Sequence, residues 1–517
     1  MTHPVLALFE RSLRADARGG RAYLVRFAVA GAAMPALFSA QVSAGSFGAP
    51  GLRFFSGLAY TDVFLIALAA IGIFAPSIAE EKEEGTLALL RLSGLTPLSI
   101  LLGKTAGLLL GTVLLLAAQF PFALLAAPLG GVSGRQVVAV YAALAAFLVF
   151  TAGLGALCST LASRGRDAVA ATTVLLLLIA IVQWPAAVLV GAGDPGGIGS
   201  ALAAVGAFVP TGRLDGILTT GWSDSLLDRG FWISLAAAAA CFLAAWAAFD
   251  ATARRGAGVP ARPGVAGGRK GLRRWANPGR TWAGGGRGAL MWKDYHFVAG
   301  GRPGLVLRLL ILAGPVLVAG IAVAVRDDLT PSVLGATLAI TGCALFALDA
   351  ALQAGRVFRD EIREKTLSQL WTLPLEMKEI VSAKTRGCLA ACAPGLVAAF
   401  LGGILLLATT SYREMSAAPF GFILFAAAFM ILHGAAQLIL LVHLTACLSL
   451  EVRWGALPLA LAITMFAQPL AQMIFMVIPL VGLLGIVVFA IPIVPIVATV
   501  ILRKRIQRRL PLLAAEA

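Results

Sequence analysis

Charged side chains are scarce in this chain of 517 residues. They make up 13% of the sequence, whereas hydrophobic residues make up 59%, and a typical soluble domain carries about 25% charged residues. A soluble fold cannot bury that much apolar surface, but a lipid bilayer accepts it. The composition therefore excludes a set of soluble globular domains and indicates an integral membrane protein.

Histidine and cysteine are also few, with four and six residues. No two cysteines have the C-x-x-C spacing, and Cys388 and Cys392, one helical turn apart, have no histidine pair nearby to complete a zinc site. No triad or spaced pair of carboxylates indicates covalent or acid–base catalysis. We therefore expect no metal site, no disulfide and no catalytic residue in this chain.

A phosphate-binding loop is missing as well. Gly103-Lys104-Thr105 matches the end of such a loop, but Leu98 stands where its first glycine is needed. The sequence contains no better match. We therefore expect this chain to bind no cofactor and to hydrolyse no ATP by itself.

Long apolar runs, in contrast, are abundant, and about twelve of them are long enough to span a bilayer. The predicted spans are 22–44, 58–79, 105–129, 136–161, 167–191, 231–250, 304–325, 332–355, 385–409, 416–448, 454–474 and 477–502. The predicted fold class is an all-α polytopic membrane protein.

The basic residues predict the orientation of these spans. If the N-terminus is placed inside, six of the 41 lysines and arginines fall in outer loops, and the rest face the cytoplasm. We therefore expect both termini to be cytoplasmic and the chain to lie in the cytoplasmic (inner) membrane. The net charge of +16 reflects this topology and attraction to anionic lipid. No basic run is interleaved with aromatic residues, so nucleic acid is not an expected partner.

Residues 251–303 differ from the rest, because they are rich in glycine, proline, arginine and tryptophan and have no apolar periodicity. They are typical of a cytoplasmic linker, and the tryptophans near its end, such as Trp292, suit an interfacial segment. The predicted domains are thus a first half over 1–250, this linker, and a second half over 304–517.

The two halves repeat at an offset of 280 positions. Residues of the first half that recur in the second are Glu81, Glu84, Thr86, Leu87, Leu90, Ile100, Lys104, Thr105 and Gly107. Their counterparts are Glu361, Glu364, Thr366, Leu367, Leu370, Ile380, Lys384, Thr385 and Gly387. Each half holds an even number of predicted spans, so the copies are expected to be parallel six-helix repeats, related by a pseudo-two-fold axis along the membrane normal.

The segment near 80–100 is the most informative part of each repeat. Acidic residues over 80–84 begin a short helix, where they complement its positive dipole end. Leu87, Leu90 and Gly94 then fall on one face, Thr96 caps the next helix, and Pro97 fits its first turn. A helix that lies passively on lipid is expected to be basic. The acidic run instead favours a cytoplasmic helix that docks a partner protein.

An acidic Glu-x-Gly-Thr-Leu-x-x-Leu stretch, then Thr-Pro-Leu-Ser and Gly-Lys, resembles the permeases of the ABC-2 type, the membrane subunits of ABC exporters. The resemblance implies coupling helices near 80–100 and 360–380, which dock separate ATPase subunits that use ATP and Mg²⁺. The second half departs from the family pattern at two positions. Lys365 stands where the first half has Gly85, and Pro374 lies three residues earlier than the equivalent of Pro97. The implied docking residues are Glu81, Glu84, Gly85, Thr86, Leu87, Leu90, Glu361, Glu364, Thr366, Leu367 and Leu370.

Polar residues inside predicted spans are candidates for the lining of a transport pathway, although hydrogen bonds between helices explain them equally well. They are Gln119, Gln183, His433, Gln437 and His443.

These patterns predict the permease subunit of an ABC transporter, and the resemblance makes it an exporter. Two other classes stay open. An ion-coupled secondary transporter also uses duplicated halves but needs ionisable residues within the membrane, of which this chain has few. A membrane scaffold without transport activity is the other.

Overall fold

The structure, a computed structural model, is helical throughout the part that it describes. The described residues are 50–190, 210–256 except 224, 286–298, 300–325, 332–358, 361–362, 366, 369–370, 373–409, 420–451 and 484–516, with isolated residues near 33–41 and 459–464. No β-strand occurs in these ranges, which confirms the all-α class. The predicted spans 22–44 and 454–474 lie largely outside them.

The first part of the chain forms eight of the described helices. They are α1 (Pro50–Ala69), α2 (Ala79–Glu83), α3 (Thr86–Leu92), α4 (Pro97–Leu125), α5 (Gly134–Leu161), α6 (Gly165–Val190), α7 (Thr211–Ile217) and α8 (Arg229–Gly256). A π-helical stretch, Ala70–Phe74, extends α1.

The second part forms seven more in its described residues. They are α9 (Gly286–Lys293), α10 (Gly301–Val325), α11 (Ser332–Val357), α12 (Met377–Ala391), α13 (Ala393–Thr409), α14 (Phe420–Glu451) and α15 (Leu484–Glu516). A π-helical stretch, Asp294–Val298, extends α9.

These helices form two compact units. The first holds α1 to α8 apart from the end of α6, and the second holds α9 to α15. Each unit is described by itself below.

Five of the described helical stretches are long and apolar enough to cross a membrane, and α12 with α13 make a sixth if this bent pair is one span. The five are Pro50–Glu83, Pro97–Leu125, Gly134–Leu161, Arg229–Thr252 and Ser332–Val357. Shorter apolar stretches lie in the predicted spans 167–191, 304–325 and 416–448. The chain is a multi-pass helical membrane protein, and the number of twelve spans stays a prediction.

The predicted span 385–409 is broken rather than continuous. Helix α12 ends at Ala391, α13 begins at Ala393, and the two axes are bent by 55°. Pro394 lies in the first turn of α13, where it cannot donate a backbone hydrogen bond and its ring would crowd the preceding turn of a continuous helix. The bend therefore has a local cause in the sequence.

Helix α5 forms the centre of the first unit, because two of its glycines allow close helix contacts. A Cβ atom on Gly153 would lie 2.8 Å from the carbonyl oxygen of Ala238 in α8. A Cβ atom on Gly155 would lie 2.6 Å from Cβ of Phe74. Small residues let helix backbones approach each other in membranes, where packing stabilises association.

Helices α11 and α13 meet along a glycine seam in the second unit. The seam consists of Gly335 and Gly342 on α11 and of Gly395 and Gly402 on α13, in each case seven residues apart. A Cβ atom on Gly342 would lie 2.4 Å from the backbone nitrogen of Ala399. The seven-residue spacing keeps both pairs on one helix face, so the two backbones are in direct contact.

Candidate functional site

The segment between α1 and α4 is a compact pair of short helices joined by a left-handed turn. Gly85, between α2 and α3, has φ 73°, a conformation that glycine adopts without steric cost. The Thr96 side chain accepts a hydrogen bond from the Ser99 backbone, and Pro97 begins α4. The predicted cap and first-turn proline are thus confirmed, and they fix how α3 leads into the span.

Glu81 is directed toward the protein rather than toward solvent. Its carboxylate accepts hydrogen bonds from the hydroxyl of Thr86 and from Nζ of Lys104. Lys104 also donates to the backbone oxygen of Ser77, at 3.0 Å. These contacts tie α2 and α3 to the first turns of α4.

Helix α2 is also anchored to the end of α5. Ser159 Oγ accepts hydrogen bonds from the backbone of Ile78, at 2.8 Å, and of Ala79, at 2.9 Å. Lys82 Nζ donates to the backbone oxygen of Ala162 at 3.2 Å, as basic residues do at helix C-termini. Glu83 accepts from the backbone N–H of Gly165, where α6 begins. A force on α2 would therefore reach α5 and α6 as well as α4.

Helix α3 presents leucines on two opposite sides. Leu87 is buried in a cluster with Ile78, Ile100, Leu101 and Phe249, and Leu90 packs against that cluster. On the outer side, Leu89 is 64% exposed and Leu92 is 83% exposed. The buried leucines hold the helix in place, which leaves the other two as an apolar outer surface.

Arg91 fixes the lateral position of α3. It forms an ion pair with Asp250 near the end of α8, and its guanidinium lies 5.4 Å from the centre of the Phe249 ring. Cations are attracted to the face of aromatic rings at this range. Helix α3 is thus held against α8 as well as α4.

The second unit contains the same three residue types in the same contacts. Glu361 accepts hydrogen bonds from the hydroxyl of Thr366 and from Nζ of Lys384, the latter at 2.9 Å. Two groups from the extended α9 are added, because Lys293 Nζ lies 2.8 Å from Glu361 and Asp294 Oδ1 lies 3.1 Å from Lys384 Nζ. This four-residue ion cluster joins α9 and its π-helical extension to the segment before α12 and to α12 itself.

The ion cluster perturbs the titration of Glu361. Burial by itself raises the pKa of this carboxyl group, but the charge of Lys384 and hydrogen bonds from Lys293, Thr366 and Lys384 outweigh it and lower the pKa from 4.5 to about 2. Glu361 is therefore ionised throughout the neutral range.

The residues predicted for docking differ in their exposure and contacts. Glu84 and Gly85 are exposed, whereas Glu81, Thr86 and their counterparts Glu361 and Thr366 are engaged in the contacts above. Leu370 is buried in the core of the second unit, and Glu364 and Leu367 lie outside the described residues. The docking role of the whole set stays a prediction.

Two exposed leucines, Leu89 and Leu92, were not among the predicted residues. They lie three positions apart, as Leu87 and Leu90 do, so the helix has an apolar stripe on each side. This second stripe is the signal in the sequence that indicates an outer contact surface.

The polar candidates within the spans are scattered. Gln119 is fully buried and neither of its amide atoms has a hydrogen-bond partner. His433, Gln437 and His443 are half-buried on α14, and His443 Nδ1 lies 2.9 Å from the Ile439 backbone oxygen. The side chain of Gln183 is outside the described residues. Pathway lining stays a prediction for all five.

Asp62 in α1 is a further polar residue within a span, and it was not among the residues predicted from the sequence. Its side chain is 1% exposed, and Oδ1 has no hydrogen-bond partner. A carboxyl group inside a span is costly and marks a functional position by default.

The residues that the structure describes contain no cluster of histidine, cysteine and acidic side chains that could hold a metal ion.

Long apolar helices joined by short anchored helices at their ends define a polytopic membrane protein. Residues 35–249 match the family described as ABC-2 family transporter protein. This match supports the predicted ABC-2 type permease over the matched residues. The second half lies outside the matched residues. Among the curated proteins, none matches the chain.

Proposed function

We propose that this chain is the membrane subunit of an ABC exporter and that separate ATPase subunits dock on it at the cytoplasmic membrane. The observation that carries the proposal is the outer surface of α3. Leu89 and Leu92 are exposed on a helix whose opposite side is buried and whose ends are tied to three other helices. A contact surface that is apolar and rigidly supported suits transmission of movement from a partner.

The contacts of α2 and α3 suggest how that movement would reach the membrane. Closure of the ATPase subunits on ATP and Mg²⁺ would displace α3. The Glu81–Lys104 ion pair would pass the displacement to α4, and Lys82 and Glu83 would pass it to the α5–α6 turn. The spans would then move as packed bodies and open a pathway for the substrate.

Both halves are proposed to contribute to one pathway. The Glu–Thr–Lys arrangement of residues 81, 86 and 104 recurs with the same contacts at 361, 366 and 384, which supports a duplicated permease with two coupling segments. A particle with one copy of this chain and two nucleotide-binding domains is expected by native mass measurement. Two copies of the chain in the particle would contradict it.

The docking surface is tested by Leu92→Asp in the full chain, isolated with its ABC ATPase. The ATPase should be lost from the purified membrane complex, and ATP hydrolysis with it, because a charge replaces the exposed apolar contact. Leu227→Asp is the matched control, since Leu227 is also exposed but precedes α8 at the end opposite to Asp250. Equal ATPase recovery in both variants at equal membrane abundance would refute docking on α3.

Asp62 favours a second candidate function, ion-coupled secondary transport, because proton-coupled carriers use buried carboxyl groups within spans. Proteoliposomes that contain the chain alone and a pH-sensitive dye distinguish the two functions. Proton flux that is lost in Asp62→Asn would favour the carrier, whereas transport that requires the ATPase favours the exporter.

A further inference from the structure

A cavity in the second unit lies where α9, α12 and α15 come together. Its volume is ≈ 350 Å³, within the range of ligand pockets in proteins, about 300–1,000 Å³. The polar side chains that line it are those of Lys378, Glu379, Ser382, Arg386 and Arg503, and Gly288 lines it with its backbone. No part of this lining belongs to the ion cluster around Glu361.

The cavity carries an excess of positive charge. Lys378, Arg386 and Arg503 are exposed, and none of them has an ion-pair partner among the described residues. Glu379 is the one acidic residue of the lining, so three cations face a single carboxylate. Three unpaired cations around one cavity repel each other, and an anion bound between them would remove that repulsion.

Hydrogen-bond donors converge on the same space. Lys378, Ser382 and Arg386 lie four residues apart on one face of α12. Gly288 lies in the first turn of α9, where backbone N–H groups have no acceptor within the helix and the dipole favours negative charge. Guanidinium groups bind phosphate oxygens through paired hydrogen bonds. The donor set is therefore that of a phosphate site.

The position of the cavity along α15 places it beside the membrane surface. Val494, Val497, Val500 and Ile501 are exposed apolar residues, as expected for a helix face in contact with lipid. Arg503 follows directly and begins a basic stretch. Basic pockets at this level between membrane helices bind phospholipid head groups.

We propose that this cavity is a binding site for a phosphate-bearing anion, which bridges the interfacial helix α9 to the start of α12 and to α15. The phosphate is supplied by an anionic phospholipid head group or by a soluble phosphate compound. Occupation would tie together three elements, of which α12 and α15 otherwise repel each other through their cations.

The test uses the purified full chain in a neutral detergent and has two arms. One titrates phosphatidic acid against phosphatidylcholine, and the other titrates inorganic phosphate against chloride at equal ionic strength. Binding is read by the thermal unfolding midpoint and by native mass spectrometry. The variant is Arg386→Gln with Arg503→Gln, and the control is Arg508→Gln with Arg509→Gln, which removes the same charge from exposed positions outside the cavity.

A phosphate site predicts that the cavity variant loses affinity by about tenfold or more, since two charge-assisted contacts are removed, while the control changes by less than about twofold. Binding in the lipid arm alone assigns the head group, and binding in the phosphate arm assigns a soluble compound. Absence of binding in both arms, or an equal loss in variant and control, would overturn the proposal.

Discussion

Glu361 Oε1 lies 2.9 Å from Lys384 Nζ, and the pair is almost completely excluded from solvent, with side chains 6% and 0% exposed. The same two residue types, Glu81 and Lys104, form an ion pair 280 positions earlier. Lys104 is 26% exposed, so the two pairs lie in different environments. Equivalent contacts therefore need not contribute equally to stability.

This difference predicts unequal effects of Lys384→Met and Lys104→Met. Loss of Lys384 leaves Glu361 and Asp294 as buried carboxylates without their shared cation, which costs about 3–5 kcal/mol. Loss of the partly exposed Lys104 should cost about 1 kcal/mol or less. The measurement is the free energy of unfolding in detergent, with the exposed Lys504→Met as control. Equal destabilisation by the two substitutions would contradict this interpretation.

The lowered pKa of Glu361 predicts a pH dependence. A carboxyl group whose pKa falls from 4.5 to about 2 on folding stabilises the folded state fully above pH 4.5, and this contribution is lost as the pH falls toward 2. The stability difference between wild type and Glu361→Gln should be constant from pH 6 to 8, since ionisation is complete there. The stability difference should shrink below pH 4.5. Unfolding midpoints of both proteins, measured from pH 2 to pH 8, test this prediction. A stability difference that changes between pH 6 and 8 would contradict it.

The glycine seam predicts opposite effects at two adjacent positions of α13. A Cβ atom on Gly402 would lie 2.3 Å from the backbone nitrogen of Ala339, whereas one on Gly403 would meet nothing within 4 Å. Gly402→Ala should therefore destabilise by about 1–3 kcal/mol through overpacking. Gly403→Ala should be neutral or stabilise by up to about 1 kcal/mol, because alanine favours a helix. The measurement is the thermal unfolding midpoint of both variants. If Gly403→Ala lowers the midpoint as much as Gly402→Ala does, close packing at the glycine seam is not the cause.

Much of this architecture could be predicted from the sequence, because span length and apolar composition are local properties. The predicted spans 136–161 and 332–355 agree closely with α5 and α11, and the cap at Thr96 is a local motif. The bend after Ala391 is also local in origin, yet the apolar run 385–409 conceals it. Hydropathy reports burial in lipid and does not report helix direction.

The orientation of the glutamates could not be predicted in the same way. Glu81 and Glu84 lie in one acidic run, and only tertiary contacts distinguish them, since Glu81 meets Lys104 from the next span. Helix α3 is apolar on both sides, so periodicity identifies two stripes without telling which is buried. The partner of Leu87 that settles this, Phe249, lies far along the chain in α8.

The difference between Glu81 and Glu84 separates a positioning role from a docking role. Glu84→Lys changes an exposed side chain next to the left-handed Gly85 and should cost the chain about 0.3–1 kcal/mol through the helix dipole. Its membrane abundance should stay normal, while ATPase recovery falls because charge reversal at a contact surface slows association and alters its salt dependence. Glu81→Lys instead places a cation against Lys104, so abundance itself should fall.

Membrane abundance and ATPase recovery, measured together for both variants at two salt concentrations, distinguish these outcomes. The salt series matters because screening weakens exposed charge contacts and leaves buried ones largely intact. High salt should therefore narrow the gap between wild type and Glu84→Lys and should not rescue Glu81→Lys. If Glu84→Lys recovers the ATPase as well as wild type does at low salt, the partner does not contact this end of α3, and the acidic run 80–84 serves the fold alone.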